Sequence, residues 1–215
     1  MSDDIARSMD RMYRLQRHFY DFTRKYYLFG RDELVDDLGV RQGETVLEVG
    51  CGTGRNLVRL AGRYPGARLL GLDASAEMLK SATTNLERRG WTGRVHLCQG
   101  YAQTFTPALF DLDDGFDHIL FSYTLSIIPE PIEALDNALA QLKPGGTLHV
   151  VDFCDRAELP AVFDAIFTFW LKLFGVAHRP EVGQWFVKKA EEGMGYLKSR
   201  TIMRRYAEFL TLRKA

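Results

Sequence analysis

Three glycines fall within five residues of the stretch LEVGCGTGRNLVRLA (residues 47–61), between a β-like run and a helix-like run. A loop of this kind lets a ligand touch the backbone, because a Cβ would hold the ligand away from it. The ligand could be a phosphate, a dinucleotide or a cationic cofactor. A nucleoside triphosphate is disfavoured, since Arg55 and Asn56 stand where its phosphates would need a lysine and a hydroxyl.

Two carboxylates narrow the choice further. Glu48 stands just before the first glycine, and Asp73 ends the next β-like run. The spacing G-x-G-x-G is one residue shorter than the dinucleotide fingerprint, and a pyrophosphate would meet the negative charge of Glu48. A carboxylate at position 73 accepts hydrogen bonds from both hydroxyls of an adenosine ribose. S-adenosylmethionine suits both residues. Its adenosine matches Asp73, and its ammonium and sulfonium match the negative charge of Glu48. Its carboxylate would accept hydrogen bonds from N–H groups of the glycine turn.

Strand-like and helix-like segments alternate from residue 43 onward, which predicts βαβ units and a doubly wound, Rossmann-like α/β fold. Two final strands, YLKSRTIM and YAEFLTLRK, should form an antiparallel hairpin that turns at Arg204 and Arg205. The other predicted strands are ETVLEVG, ARLLGLD, RVHLCQG, FDHILFSYTL and TLHVVDF. The predicted helices are RNLVRLAGRY, SAEMLKSATTNLERRG with Ser75 as N-cap, and EPIEALDNALAQLKPGG, which a Pro-Gly-Gly turn closes.

Amphipathic segments flank this alternating core. Apolar and arginine faces in residues 4–28 predict a basic helix that ends at Gly30, and residues 160–175 predict an aromatic helix. The chain should therefore form one domain with four parts. These are a helical substrate cap (1–40), a cofactor-binding core (41–155), a cap insert (156–195) and the terminal β-hairpin (196–215).

Charge and cysteine content place the protein in a broad class. The formal net charge is zero, yet residues 1–31 hold seven Lys/Arg against four Asp/Glu, and residues 188–215 hold eight against three. Basic ends favour an anionic partner such as a membrane surface, or are simply solvated.

Three scattered cysteines argue against disulfides and a metal site. No apolar leader or membrane span is evident, so we expect a cytoplasmic protein with peripheral contact at the inner membrane face.

Taken in order, five motifs resemble the class I S-adenosylmethionine-dependent methyltransferases: EVGCGTG (48–54), GLDAS (71–75), GYAQTF (100–105), FDHILFSYTLSIIP (116–129) and LKPGGTL (142–148). The resemblance implies S-adenosyl-L-methionine as cofactor and S-adenosyl-L-homocysteine as product. It also implies that the three glycines line the methionyl group and that Asp73 binds the ribose. The cofactor-binding residues it implies are Glu48, Gly50, Cys51, Gly52, Gly54, Asn56, Asp73, Ala74, Met78, Tyr101, Ala102, Gln103 and Ser122.

The adenine contact departs from the family pattern. Met78 and Ala102 would flank the adenine, but many members carry Asp or Glu at position 101, where this chain has Tyr101. Recognition of the adenine amino group should then pass to Gln103 or to the backbone. Cys51 is expected to be only a small residue in a tight turn.

The segment MDRMYRLQRHFYDFTRKYYLFGRDEL (9–34) resembles the start of lipid head-group N-methyltransferases, above all the bacterial enzymes that trimethylate diacylglycerylhomoserine to a betaine lipid. It implies an amine-bearing lipid acceptor, with phosphatidylethanolamine or a soluble small molecule as alternatives. Aromatic faces accommodate a quaternary ammonium, so Tyr13 and Tyr20 are candidate catalytic residues, with His18 as a candidate base. Further candidates are Tyr26, Tyr123, Trp170 and His178.

A nucleic-acid substrate is disfavoured, because no D/N-P-P-Y/F element follows the fourth strand and no compact basic groove is evident. The sequence leaves the oligomeric state open.

Overall fold

The computed structural model describes residues 28–173 and 176–215. Its centre is a seven-stranded sheet of order β3-β2-β1-β4-β5-β7-β6. Strands β1 to β5 are parallel, and β7 runs antiparallel between β5 and β6, so the predicted fold class is confirmed. The strands are β1 (Thr45–Val49), β2 (Arg68–Asp73), β3 (Val95–Gln99), β4 (Phe116–Ser122), β5 (Leu142–Phe153), β6 (Gly195–Ile202) and β7 (Ala207–Lys214).

Six α-helices and one short 3₁₀ helix (Pro107–Phe110) accompany the sheet in the described part of the chain. None of these helices is long and apolar enough to cross a membrane. The α-helices are α1 (Arg31–Asp36), α2 (Arg55–Arg63), α3 (Ala76–Arg88), α4 (Pro131–Gln141), α5 (Ala161–Leu173) and α6 (Pro180–Glu191).

The sheet is buried on both faces, as expected for parallel strands between helical layers. All five residues of β1 are buried, and its side chains alternate between two apolar clusters. Leu47 belongs to the cluster that includes residues of α4 and α6. Val46 belongs to the cluster that includes residues of α1, α2 and α5. The central strands are thus packed on both faces. The loops at their carboxyl ends lie outside this packing and can form a ligand site.

Two predictions for the carboxyl-terminal half need correction. The predicted Pro-Gly-Gly turn before β5 is part of the strand, because Leu142 already pairs with Phe116. Residues 143–146 bulge out before Thr147 pairs with His118, and Gly145 takes a left-handed φ of 76° there. Helix α6 was not predicted at all.

Helix α6 belongs to the core of the domain. Its buried side chains Val182, Trp185 and Phe186 join the same apolar cluster as α4, and the Trp185 indole N–H donates to Asp136 Oδ1 at 2.9 Å. The assignment of 156–195 as a substrate cap stays a prediction. The predicted helix over residues 4–28 lies outside the described residues, apart from its last position.

The terminal hairpin forms where the sequence predicts it. Strands β6 and β7 pair from Gly195 with Lys214 to Ile202 with Ala207. The turn between them places Met203, Arg204 and Arg205 in the left-handed region.

Candidate active site

The glycine loop lies at the carboxyl end of β1, where the strand order reverses between β1 and β4. Ligands of open α/β sheets bind in the crevice at such a reversal. The start of the loop lies against the end of β2, because the N–H groups of Gly50 and Cys51 both donate to Leu72 O, at 2.8 and 2.9 Å. Gly52 has φ of 54°, and a Cβ there would meet no atom within 4 Å. The loop therefore presents open backbone to a ligand.

Asp73 ends β2 beside this loop and is held by two backbone donors. The Gly52 N–H donates to its Oδ2 at 2.7 Å, and the Ser75 N–H donates to its Oδ1 at 2.9 Å. A carboxylate has four acceptor positions in all, so ribose hydroxyls can donate to Asp73 alongside these N–H groups. Ser75 caps α3 through its side chain, which accepts from the Met78 N–H, as predicted.

Glu48 is a buried carboxylate with one oxygen in use. Its side chain comes from β1 and is 2% exposed. Asn56 Nδ2 donates to Oε1 at 2.7 Å, whereas Oε2 is buried and has no hydrogen-bond partner in the described part of the chain. Burial raises the pKa of Glu48 to about 8, although Asn56 and the charge of Arg31 act in the opposite direction. An ammonium that donates to Oε2 would satisfy the atom and favour the ionised form.

Two cavities adjoin at the loop and share Gly50, Gly52 and Ser122 as walls. We call the one on the Asp73 side the adenosyl cavity and the one on the Glu48 side the methionyl cavity. The adenosyl cavity is also lined by Val49, Leu72, Asp73, Ala74, Met78, Gly100, Ala102, Tyr123, Thr124, Ile127 and Ile128. The methionyl cavity is also lined by Leu28, Arg31, Glu48, Cys51, Thr53, Arg55, Asn56 and Asn85.

Most of the predicted cofactor residues thus meet at one site, but three do not line it. Gly54 packs against α3, where a Cβ would stand 3.0 Å from that of Ala82, so its role is close helix packing. Tyr101 is 37% exposed, and Gln103 is half-buried outside both cavities. The adenosyl cavity instead offers Met78 and backbone groups near Gly100.

The remaining predicted contacts divide into two groups. Tyr123 is fully buried, its hydroxyl donates to Phe29 O at 2.6 Å and its ring packs on Phe153, so it is a core residue at the cavity wall. The imidazole of His178 lines neither cavity. The candidate catalytic residues Tyr13, His18 and Tyr20, together with Tyr26, lie outside the described residues, and so does the side chain of Trp170.

Sequence reasoning gave no role to several lining residues. Arg31 is the main one, because it brings a positive charge into the methionyl cavity. A signal for it exists in the acids Asp32 and Asp36, whose four-residue spacing matches that of Arg55 and Arg59. Thr124, Ile127 and Ile128 complete the adenosyl wall from the loop after β4.

These features fit the cofactor that the sequence implies. The orphaned Glu48 Oε2 matches an ammonium, Asp73 matches a ribose, and the open side of Gly52 leaves room for the group between them. Ser122 Oγ, on the wall shared by both cavities, is a second buried polar atom without a partner among the described residues. A pyrophosphate would fit poorly, because it would stand against the Glu48 carboxyl.

Comparison with known proteins agrees with the geometry. Residues 41–196, more than half of the chain, match the family described as methyltransferase domain. Trans-aconitate 2-methyltransferase of Streptomyces avermitilis is 35% identical over 58% of this chain and 42% of its own. The ubiquinone/menaquinone biosynthesis C-methyltransferase UbiE of Klebsiella pneumoniae is 34% identical over 62% of this chain and 54% of its own. The chain thus spans about half the length of these two relatives.

A longer match and two solved structures extend the comparison. UbiE of Serratia proteamaculans is 32% identical over 80% of this chain and 67% of its own. An S-adenosylmethionine-dependent methyltransferase from Aquifex aeolicus has a TM-score of 0.64 at 20% identity, covering 89% of this chain and 93% of that one. The methyltransferase SibL, in its apo form, has a TM-score of 0.70 at 22% identity, covering 93% and 59%. The chain therefore belongs to the S-adenosylmethionine-dependent methyltransferase family.

Proposed function

We propose that this protein methylates the amine of a lipid head group, with diacylglycerylhomoserine as the acceptor and the trimethylated betaine lipid as the product. The tyrosine-rich segment 9–34 supports this choice through its resemblance to lipid N-methyltransferases. The observation that carries the proposal in the described structure is an exposed apolar stripe on α5. It consists of Val162, Ala165, Ile166 and Phe169.

The stripe has the spacing of a single helix face. Val162, Ile166 and Phe169 are 72%, 64% and 68% exposed, whereas Leu171 on the opposite face is buried. An apolar helix face that is open to solvent is typical of interfacial helices that lie on a bilayer. The one acid on α5, Asp164, is neutralised within the protein, because it pairs with Arg156 at 2.7 Å. The stripe therefore supports a lipid surface as the partner of α5.

The stripe is connected to the cofactor site by packed rings. Phe167, on the inner side of α5, contacts Phe153, and Phe153 contacts Tyr123 at the wall of the adenosyl cavity. The guanidinium of Arg156 holds α5 in place, because it donates hydrogen bonds to Asp164 Oδ1 at 2.7 Å and to Thr168 Oγ1 at 3.0 Å. A lipid that enters at the stripe would therefore arrive at the same edge of the sheet as the cofactor.

The protein's part in the reaction is mainly to position two reactants. When bound, S-adenosylmethionine supplies an electrophilic methyl group on its sulfonium sulfur. Asp73 and Glu48 would hold the two ends of that cofactor, and Ser122 lies between the two cavities. None of the described lining residues is a histidine or a lysine, so the acceptor amine would lose its proton to water or to a residue outside them, such as His18 or Tyr20. Correct placement alone supplies a large part of the rate.

The acceptor is tested by mass spectrometry of the products. The protein is incubated with isotope-labelled S-adenosylmethionine and anionic vesicles that contain either diacylglycerylhomoserine or phosphatidylethanolamine. We expect a ladder of mono-, di- and trimethyl products on the homoserine lipid. A ladder only on phosphatidylethanolamine would replace the acceptor by the alternative amine lipid. Parallel incubations replace the lipid by a quinone precursor or by a soluble acid, the kinds of compound that the relatives' names suggest, and labelling only of those compounds would refute an amine-lipid acceptor.

The same assay tests the stripe with a matched pair of variants. Ile166→Glu should lower the rate on vesicles about tenfold or more, because it removes an apolar anchor and adds a negative charge. Val187→Glu makes the same kind of change on α6, at a residue that is 49% exposed and outside the stripe, and should have little effect. Equal rates for the two variants would contradict the membrane role of α5. Affinity for S-adenosylhomocysteine should be the same in both variants and the wild type.

A further inference from the structure

The turn between β6 and β7 (residues 203–205, the hairpin turn) presents two exposed side chains of different chemistry. Strand β6 runs parallel to β5, since both are antiparallel to β7, so this turn lies at the edge of the sheet that carries the glycine loop. Met203 is 54% exposed there, and Arg204 beside it is exposed as well. The hairpin turn thus offers solvent an apolar group next to a cation.

The backbone of the hairpin turn is unusual for the side chains that it carries. Met203, Arg204 and Arg205 have φ of 49°, 56° and 58°. Glycine or asparagine adopts this left-handed region at a lower cost than methionine or arginine does. The conformation of the turn therefore does not explain why Met203 and Arg204 occupy it, and strained residues of this kind are concentrated at functional sites.

Two consecutive residues, Asp155 and Arg156, connect the hairpin turn to α5. Arg205 donates to both carboxylate oxygens of Asp155, from Nε at 2.7 Å and from Nη2 at 2.6 Å. The backbone N–H of Arg156 donates to Arg205 O at 2.9 Å. The guanidinium of the same Arg156 holds α5 through Asp164 and Thr168. The turn and the helix that carries the exposed stripe are thus fixed to one short segment.

Aromatic rings fill the space between the hairpin turn and α5. Tyr206, which directly follows the turn, is buried, and its ring lies 5.2 Å from that of Phe167 on the inner side of α5. The ring of Phe29, which precedes α1, packs against Tyr206 from another side at 5.2 Å. The Tyr206 N–H donates to Ile202 O at 3.0 Å, which closes the turn. A surface that receives the stripe would therefore lie close to the hairpin turn.

We propose that the hairpin turn is a second membrane anchor, in which Met203 enters the interfacial region of an anionic bilayer and Arg204 binds the lipid phosphates. This inference rests on the lipid contact proposed for α5, and it adds the charge of the surface. A thioether side chain gives apolar contact without needing a hydrogen-bond partner. A guanidinium binds a phosphate through two parallel hydrogen bonds. The stripe carries no charge of its own, so Arg204 supplies the preference for anionic lipid.

A second anchor matters because one interfacial helix leaves the protein able to roll about the axis of that helix. Contact at a second point removes this freedom. The hairpin turn and the glycine loop lie at the same edge of the sheet, so the two contacts together turn this edge toward the bilayer. The adenosyl and methionyl cavities would then open near the head groups.

Co-sedimentation with vesicles tests the anchor. The vesicles contain phosphatidylcholine alone or mixed with phosphatidylglycerol, and neither lipid carries an amine that can be methylated. The wild type should bind the mixed vesicles more tightly. Arg204→Gln should weaken binding to the mixed vesicles about fivefold and binding to phosphatidylcholine little, and added salt should narrow its difference from wild type. Met203→Gln should weaken binding to both kinds of vesicle about three- to tenfold.

Two matched variants control for net charge and for loss of a surface methionine. Lys188→Gln removes a cation whose side chain is 71% exposed on α6, the helix on the other face of the sheet from α5. Met194→Gln changes a methionine that is 42% exposed and precedes β6, at the opposite edge of the sheet from the hairpin turn. Both should bind vesicles like the wild type. Equal weakening by Lys188→Gln and Arg204→Gln would make the effect one of net charge and overturn the proposal.

The variant Ile166→Glu, measured in the same assay, separates this anchor from the contact of α5. Weaker binding by Ile166→Glu, with wild-type binding by both turn variants, would overturn the role of the hairpin turn and leave that of α5. Wild-type binding by all three variants would overturn both. A dimer that Met203→Gln dissociates would assign the turn to a second copy of the chain and also overturn the proposal. The vesicles hold no acceptor, so each of these results is independent of which amine is methylated.

Discussion

Glu48→Gln is expected to weaken the binding of S-adenosylhomocysteine by about 30- to 4000-fold, the range for loss of one partner from a buried charge pair. The substitution keeps the shape of the side chain, and the Asn56 Nδ2 can still donate to its remaining oxygen. What it removes is the negative charge that would stand next to the cofactor's ammonium. Calorimetric titration of both proteins measures the change.

Stability provides the internal control for this variant. The pKa of Glu48 in the folded, unliganded protein is about 8, above its ordinary value of 4.5. A raised pKa means that the folded state holds the proton more tightly than the unfolded state. The carboxyl's contribution to stability is therefore complete below pH 4.5 and is lost as the pH rises through 8. The unliganded Gln variant should lack this loss, so its melting temperature relative to wild type should improve as the pH rises.

A matched carboxylate lies at the other end of β1. Glu44 immediately precedes the strand and accepts a hydrogen bond from the backbone N–H of Arg41. The whole length of β1 separates it from the glycine loop. Glu44→Gln should leave the affinity for S-adenosylhomocysteine unchanged. If both glutamine variants lost affinity equally, the effect would be one on the strand, and the proposed role of Glu48 would be wrong.

Asp73→Asn is expected to weaken S-adenosylhomocysteine binding by about 100-fold, because the ribose loses a charged acceptor. An asparagine also replaces one of the two carboxylate oxygens by an NH₂ group, which cannot accept a hydrogen bond. Either the Gly52 N–H or the Ser75 N–H therefore loses its acceptor. The 2′-deoxy analogue of the ligand separates these two effects. The wild type should bind it about tenfold more weakly than the ribose form, and Asp73→Asn should show little difference between them.

Ser75→Ala is the control for local structure at Asp73. It removes the cap of α3, in which the Met78 N–H donates to Ser75 Oγ, but it keeps the Ser75 N–H that supports the carboxylate. We expect a loss of about 1 kcal/mol in the free energy of unfolding and little change in ligand affinity. A large affinity loss in this variant would mean that the Asp73 effect reflects the loop and not the ribose contact.

The parallel core could be predicted from sequence because its signals are local. Buried strands such as ETVLEVG are short apolar runs that end in glycine or acid, and the helices between them show a 3.6-residue period. The β6–β7 hairpin was predictable for the same reason. Glu48 and Asp73 were identified because each ends, or nearly ends, a strand at the same edge of the sheet.

The features that sequence reasoning missed depend on contacts between distant segments. Arg31 lines the methionyl cavity from the start of α1, and α1 lies beside α2 because Asp32 meets Arg55, twenty-three positions away in the sequence. The bulge at 143–146 follows from the pairing of β5 with β4, which the local Pro-Gly-Gly sequence does not show. From the sequence Tyr123 is a candidate aromatic face for the acceptor, yet its ring is fixed by Phe153 and its hydroxyl by Phe29.

If the buried carboxyl of Glu48 ionises when it receives the cofactor's ammonium, the protein must release a proton on binding. With a pKa of about 8, Glu48 is largely protonated at pH 7 in the unliganded protein. Calorimetry of S-adenosylhomocysteine binding at pH 7, in buffers of different ionisation enthalpy, counts the protons exchanged. The wild type should release close to one proton per ligand bound and Glu48→Gln close to none. The same release by both proteins, or none by the wild type, would show that Glu48 does not receive the ammonium.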